Sequence, residues 1–278
     1  MLAWGPWLDL ADVDARRSIP TEAGLYRVRI RGASDLAYVG QTSSLRDRLS
    51  QLSVLYRPEI PFGDPHTGAP CLWVLRVESD AEFEFSILVH DGDVRSRKSL
   101  ECVVISEHRA RVGYSPYANF GRMPDGWVKS SGNTTALREA GKLRRGFRDE
   151  AAVRSFDAAC VLDAERDPSS ADWAGLDWSA WGPIHAVHDV TGLYRLRQLG
   201  PDGLAYVGQG KVRQRLRAHQ AKASVPDHRQ SEFLAGELEA SWVDRQELTS
   251  QQLMEIECDL IASHVIAIGR APAAQFLG

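Results

Sequence analysis

The apolar positions of this chain change period several times, and they do so twice in the same order. Residues 24–30, GLYRVRI, and 36–40, LAYVG, are short, rich in β-formers and separated by the turn cluster RGASD. That pattern predicts a β-hairpin over 24–40. Leu45, Leu49, Leu52 and Leu55 then recur at helical spacing, so 43–55 is read as a helix with Ser43 or Ser44 as its cap. EFEFSILV at 82–89 alternates and reads as a strand, and 96–112 reads as a helix ended by Gly113. The order strand, strand, helix, strand, helix fits an α+β layer better than a doubly wound sheet.

The same succession returns later in the chain. GLYRLRQLGPDGLAYVGQ at 192–209 matches GLYRVRIRGASDLAYVGQ at 24–41 in twelve of eighteen positions without a gap. AWGP precedes both copies, at 3–6 and 180–183. LRDRL at 45–49 matches VRQRL at 212–216, FEFS at 83–86 matches LEAS at 238–241, and 101–120 matches 257–276. The offset falls from 168 to 156, so the first copy carries about twelve extra residues; the Pro/Gly-rich stretch 57–70 is the natural place for them. Two copies are too few for a solenoid, and each is long enough for a small domain. The predicted division is 1–121, a connecting segment 122–180 that is basic and then acidic, and 181–278. DPSSAD at 167–172 is the linker candidate.

Composition excludes some classes. With 44% hydrophobic and 25% charged residues, the 278-residue chain is not of a disordered type. No apolar run approaches the length of a membrane span. The acidic start, with Asp9, Asp12 and Asp14 ahead of Arg16, is unlike a signal peptide. Cys71, Cys102, Cys160 and Cys258 form no C-x-x-C pair, which speaks against a disulfide framework and for a cytoplasmic setting. The net charge of −4 hides an asymmetry: residues 1–148 sum to +3 and 149–278 to −7. On charge alone, a polyanion would prefer the first half.

Several polar residues recur where packing does not demand them. The first copy has Tyr26 and Tyr38 on the hairpin, Arg48 on the next helix and Glu101 near the start of the second helix. The second copy has Tyr194, Tyr206, Arg215 and Glu257. His108 and His264 share the helical face of Glu101 and Glu257, where packing is the default reading. Taken singly, a strand tyrosine packs, a helix arginine is solvated and a first-turn glutamate serves the helix dipole.

The ordered strings G-L-Y, Y-V-G, R-x-R-L, E and P-x-x-N resemble the GIY-YIG nuclease superfamily. The chain carries them as Gly24-Leu25-Tyr26, Tyr38-Val39-Gly40, Arg48, Glu101 and Asn119, then as Gly192-Leu193-Tyr194, Tyr206-Val207-Gly208, Arg215, Glu257 and Gln275. The resemblance covers about 20–121 and 188–278. It implies two tandem domains, each a small three-stranded sheet flanked by helices, that hydrolyse a DNA phosphodiester with one divalent metal, Mg²⁺ or Mn²⁺, per site. It places the metal on Glu101 and Glu257, the scissile phosphate on Arg48 and Arg215, and the base role on Tyr26 and Tyr194. A single carboxylate suits one metal whose other positions are filled by water. Many members have His or Tyr four residues after the motif arginine; here the first copy has Leu52 and the second His219. Arg46, Arg213 and the basic stretch with Lys142, Arg144, Arg145 and Arg148 are candidates for DNA phosphates. His66 and His228 sit at comparable insert positions, as loop histidines or phosphate contacts. The readings carried forward are a single-chain pseudodimer cutting both strands, one working copy with one scaffold, and a nucleic-acid-binding module without turnover. Duplex DNA is the expected partner, RNA an open alternative, and no membrane is involved.

Overall fold

The computed structural model describes residues 2–59, 67–129, 146–198 and 203–277. The chain forms two compact units, 1–92 with 115–156, and 93–114 with 157–278. Both are α+β, with antiparallel sheets. No helix of the described residues is long and apolar enough to cross a membrane.

The first unit contains β1 (Leu8–Asp9), α1 (Val13–Ser18), β2 (Gly24–Ile30), β3 (Leu36–Thr42), α2 (Leu45–Leu52), α3 (Ala69–Ser79) and β4 (Phe83–Val89). Its sheet runs β1-β4-β2-β3, so it has four strands, not the three that were expected. The additional strand follows the AWGP segment: Gly5 donates to the Ile87 carbonyl at 2.8 Å, and Leu8 pairs with Phe85. Burial explains the layering. Leu45, Leu49 and Leu52 of α2 are fully buried, as are Leu72 of α3 and Phe83 and Phe85 of β4. Each such side chain contributes roughly 2 kcal/mol by leaving water. The helix α3 starts at the end of the Pro/Gly-rich stretch 57–70 and is not among the predicted elements. Pro70 in its first turn is compatible with a helix start, because an N–H is not needed there. A short pair, β5 (Trp127–Val128) with β6 (Phe147–Arg148), completes this unit.

The second unit begins with α4 (Val94–Val112), the second helix of the first repeat. It continues with β7 (Gly182–Pro183), β8 (Thr191–Gln198), β9 (Tyr206–Lys211), α5 (Val212–Ala223), α6 (Ser231–Leu234), β10 (Leu238–Asp244) and α7 (Ser250–Ile268). The sheet order β7-β10-β8-β9 repeats that of the first unit. The compact units differ from the predicted division at 121 and 180: α4, though part of the first repeat, lies in the second unit, and 122–180 is divided at 156. DPSSAD is not a linker, since Pro168 is buried and Trp173, just beyond it, is fully buried in the core.

The sheet face opposite the helices is covered by arginine and tryptophan. Alternation along β2 puts Tyr26 and Val28 in the core and Arg27 and Arg29 on the other side. The Arg27 guanidinium lies 4.4 Å from the Trp4 ring centre and 4.6 Å from that of Trp7. In the second unit Arg195 lies 4.3 Å from Trp178 and 4.7 Å from Trp181. Arg195 is fully buried, donates to the Pro168 carbonyl, and burial lowers its pKa to about 9. Stacking against indole faces compensates part of that desolvation.

Candidate active site

In both repeats the site starts from a tyrosine lying across a glycine. Tyr26 of β2 is the cross-strand partner of Gly40, and Tyr194 of β8 is the partner of Gly208. A β-carbon on Gly40 would stand 2.5 Å from the Tyr26 hydroxyl, and one on Gly208 would stand 2.4 Å from the Tyr194 hydroxyl. The last glycine of Y-V-G is thus required by the first-motif tyrosine. The leading glycines answer a different need: a β-carbon at Gly24 would meet the Leu88 carbonyl oxygen at 2.2 Å, and at Gly192 that of Val243 at 2.0 Å.

The second repeat gathers its predicted residues within one unit. Tyr194 and Tyr206 stack with ring centres 6.1 Å apart. His219, buried on α5, brings Nε2 to 2.9 Å from the Tyr194 hydroxyl, and its ring centre lies 4.4 Å from that of Tyr206. Arg215 stands one turn earlier on the same helix, with no hydrogen-bond or ion-pair partner among the described residues. Glu257, half-buried on α7, feels the Arg215 charge and in turn acts on both tyrosines.

The electrostatics share one direction. Burial raises Glu257 to about 7, against the opposing pull of Arg215. Burial, then the neighbouring Tyr206 and Glu257, pushes Tyr194 far above the usual phenol range. Burial and Glu257 raise Tyr206 to about 12, with Arg215 and a hydrogen bond from Gln275 opposing. Burial lowers His219 to about 4, helped by Lys222 and Arg215. The imidazole is therefore neutral near pH 7, and its Nδ1 has no hydrogen-bond partner among the described residues.

The first repeat is built differently. Tyr26 and Tyr38 approach to 5.9 Å between ring centres, and the Tyr38 hydroxyl lies 3.4 Å from Thr67 Oγ1. Arg48 Nη1 donates to Gln51 Oε1 at 3.4 Å. Leu52, fully buried in the core, takes the position that His219 has in the second repeat. Glu101 is carried by α4 in the second unit, whereas Tyr26, Tyr38, Arg48 and Asn119 lie in the first.

Asn119 and Gln275, named with the catalytic set, are engaged with backbone. Asn119 Oδ1 accepts from Val39 N at 3.0 Å and Nδ2 donates to Val39 O at 2.9 Å. Gln275 Oε1 accepts from Val207 N at 3.2 Å. Each amide braces the middle residue of Y-V-G on the open edge of the sheet, which satisfies groups an edge strand leaves unpaired.

Other candidates have local partners. Arg46 Nε donates to the Ile19 carbonyl at 2.7 Å, Arg213 pairs with Asp189 at 3.4 Å, and Arg148 lies 3.5 Å from Glu78 and 3.7 Å from Glu150. His228 Nδ1 accepts from Gln230 N, and His264 Nδ1 donates to the Arg270 carbonyl at 2.8 Å. His108 Nδ1 lies 3.3 Å from Arg111. His66, Lys142, Arg144 and Arg145 lie outside the described residues.

One residue that the sequence reading missed holds the second site from behind. Arg95, near the start of α4, donates to the carbonyls of Pro272 at 3.1 Å, Ala273 at 2.7 Å and Gln275 at 3.1 Å. Nothing in the sequence marks it, since the matching position in the second repeat is Gln251.

No group of three or more His, Cys, Asp or Glu side chains suited to a metal occurs among the described residues. Comparison with family models, with curated proteins and with solved structures finds no match for this chain.

Proposed function

We propose that the chain is a metal-dependent endonuclease that hydrolyses DNA phosphodiester bonds, with its principal site in the second repeat. The observation that carries this reading is the meeting of Tyr194, Tyr206, Arg215, His219 and Glu257 within one compact unit. Perturbed acid–base groups that converge in one place make a candidate functional site.

The residues also suit a divalent cation. Glu257, Tyr194 and Tyr206 are all held above their ordinary pKa values in one place, and Arg215 is the cation that opposes this in all three. A second positive charge there would lower all three. Glu257 would hold the ion, which supplies charge neutralisation at the phosphate when bound. Arg215, which has no hydrogen-bond or ion-pair partner among the described residues, would neutralise a phosphate oxygen by a charge-assisted hydrogen bond.

The Tyr194–His219 hydrogen bond supports a route for the water proton. Tyr194 cannot ionise by itself near pH 7, but its hydroxyl is hydrogen-bonded to a neutral imidazole. As the water oxygen bonds to phosphorus and the ester P–O bond breaks, Tyr194 takes the water proton while its own passes to His219 Nε2; the leaving alkoxide takes a proton from solvent and departs as the alcohol, and His219 returns its proton to solvent. Positioned general bases are worth about 10²- to 10⁴-fold in rate, and an imidazole lowered to about 4 is a weak acceptor, so the lower end of that range applies.

A second reading, in which both repeats cut, has the matching Tyr26–Tyr38 pair in its favour. Supercoiled plasmid, relaxed duplex and single-stranded RNA, each with Mg²⁺ or Mn²⁺ and with or without chelator, test the assignment. Chelator-sensitive nicking of DNA supports it. Binding without cutting in every arm supports a non-catalytic module, and cutting confined to RNA replaces the substrate.

A further inference from the structure

Helices α4 and α7 are the same element seen twice. Each has 19 residues, and an offset of 156 superposes the N-caps Asp93 and Thr249 and the left-handed terminators Gly113 and Gly269. They pack against each other within the second unit. The contact includes a matched pair: Cys258 Sγ donates to the Cys102 carbonyl at 3.8 Å, and an offset of 156 makes Cys102 the counterpart of Cys258. A residue touching its own counterpart is what a local two-fold axis between the two helices would give.

About that axis every contact should have a twin. Arg109 of α4 lies 3.4 Å from Asp259 of α7, with both side chains almost completely buried. The twin of Arg109 is Val265 and that of Asp259 is Val103. The twin positions of the ionic pair therefore both hold valine. The ionic side is poorly satisfied. Arg109 Nε, Nη1 and Nη2 and Asp259 Oδ1 make no hydrogen bonds among the described residues. A buried pair of this quality is a weak source of stability.

What the pair does provide is discrimination. Two α7 helices joined in the same way would set Asp259 against Val265 twice, and two α4 helices would set Arg109 against Val103 twice. Both arrangements bury an uncompensated charge, which is strongly unfavourable. The connecting segment reinforces this. Backbone N–H groups of Ala158, Cys160 and Asp163 donate to Glu255, Asp259 and Ser263, one per turn of α7. The matching positions on α4 are Ser99, Val103 and Glu107, which do not reproduce that ladder.

We propose that the Arg109–Asp259 pair decides which repeat helix joins which, so that α4 docks on α7 of its own chain and neither helix recruits its like from a second copy. The reading is independent of the nuclease assignment. It is tested by charge reversal in the full-length chain, followed by light scattering and thermal melting. Arg109→Asp alone and Asp259→Arg alone should each lose about 10 °C or more in melting temperature, because like charges then meet in a buried site. The double variant Arg109→Asp/Asp259→Arg should recover most of that loss as a monomer. Co-refolding the two single variants should give a 1:1 complex of twice the 30.8 kDa chain mass, because each helix then finds its complement only on the other chain. The proposal is overturned if either single variant remains a monomer with the parent's melting temperature. It is equally overturned if the double variant is no more stable than the singles, or if it folds while the mixture yields no 1:1 complex.

Discussion

The Tyr194 hydroxyl lies 2.9 Å from His219 Nε2, and in the first repeat the position of that histidine is taken by Leu52. The difference separates two sites whose tyrosines are arranged alike. His219→Leu, which copies the first repeat, should reduce plasmid nicking by about 10²-fold or more while leaving DNA affinity within about twofold, since the relay is lost and Arg215 remains. Nicking at the parental rate would remove His219 from the chemistry.

Gly208→Ala tests the tyrosine platform itself. The new methyl would lie 2.4 Å from the Tyr194 hydroxyl, so the ring must leave its place across β9. Nicking should fall about 10²-fold, because displacement by about 1 Å is enough for that. Melting temperature should fall as well, since Tyr194 is part of the buried core. A variant with parental rate and stability would contradict the geometry.

The pH dependence of stability has two opposed contributions. Glu257 is raised from 4.5 to about 7, so the folded state holds its proton more tightly; that contribution favours folding at low pH and is lost as pH rises through about 7. His219 is lowered from 6.5 to about 4, so the unfolded state binds the proton more readily; that contribution favours folding above pH 6.5 and is lost as pH falls through about 4. Between about 4.5 and 6.5 the two nearly cancel. Glu257→Gln removes one of them. Its denaturant-measured stability should rise with pH across that interval more steeply than the parent's. Parallel curves for the two proteins would show that Glu257 is not desolvated.

Arg95 predicts an effect that crosses from one repeat to the other. Its three hydrogen bonds fix the turn that carries Gln275, and Gln275 braces Val207 beside Tyr206. Arg95→Ala should speed hydrogen exchange at the Val207 amide and lower the nicking rate about tenfold, with a smaller change in global stability. Unchanged exchange at Val207 would show that the turn holds itself.

Much of this arrangement was legible in the sequence, for a physical reason. The strand residues alternate, the leucines of α2 recur at helical spacing, and Gly113 adopts the left-handed conformation that ends α4. The site tyrosines were visible because the repeat kept both together with their glycines. The fourth strand was not, because two residues beside AWGP carry no period; the repeated AWGP was the signal that something pairs there. The helix α3 was hidden by proline and glycine, which mark turns in general but occupy a helix start here. The placement of α4 in the second unit was out of reach, because contiguity in sequence does not reveal which core a helix enters. Arg109 and Asp259 read as ordinary helix charges until the packing shows them buried together.

The central claim is cation-dependent hydrolysis of DNA at the second repeat, and supercoiled plasmid with Mg²⁺ tests it through Glu257→Ala. The account predicts that the parent nicks the plasmid, that chelator abolishes nicking, and that Glu257→Ala binds the same DNA but leaves it supercoiled. If Glu257→Ala nicks at the parental rate, the site assignment is contradicted; if the parent binds DNA and never cuts it with either Mg²⁺ or Mn²⁺, the enzymatic reading itself is contradicted.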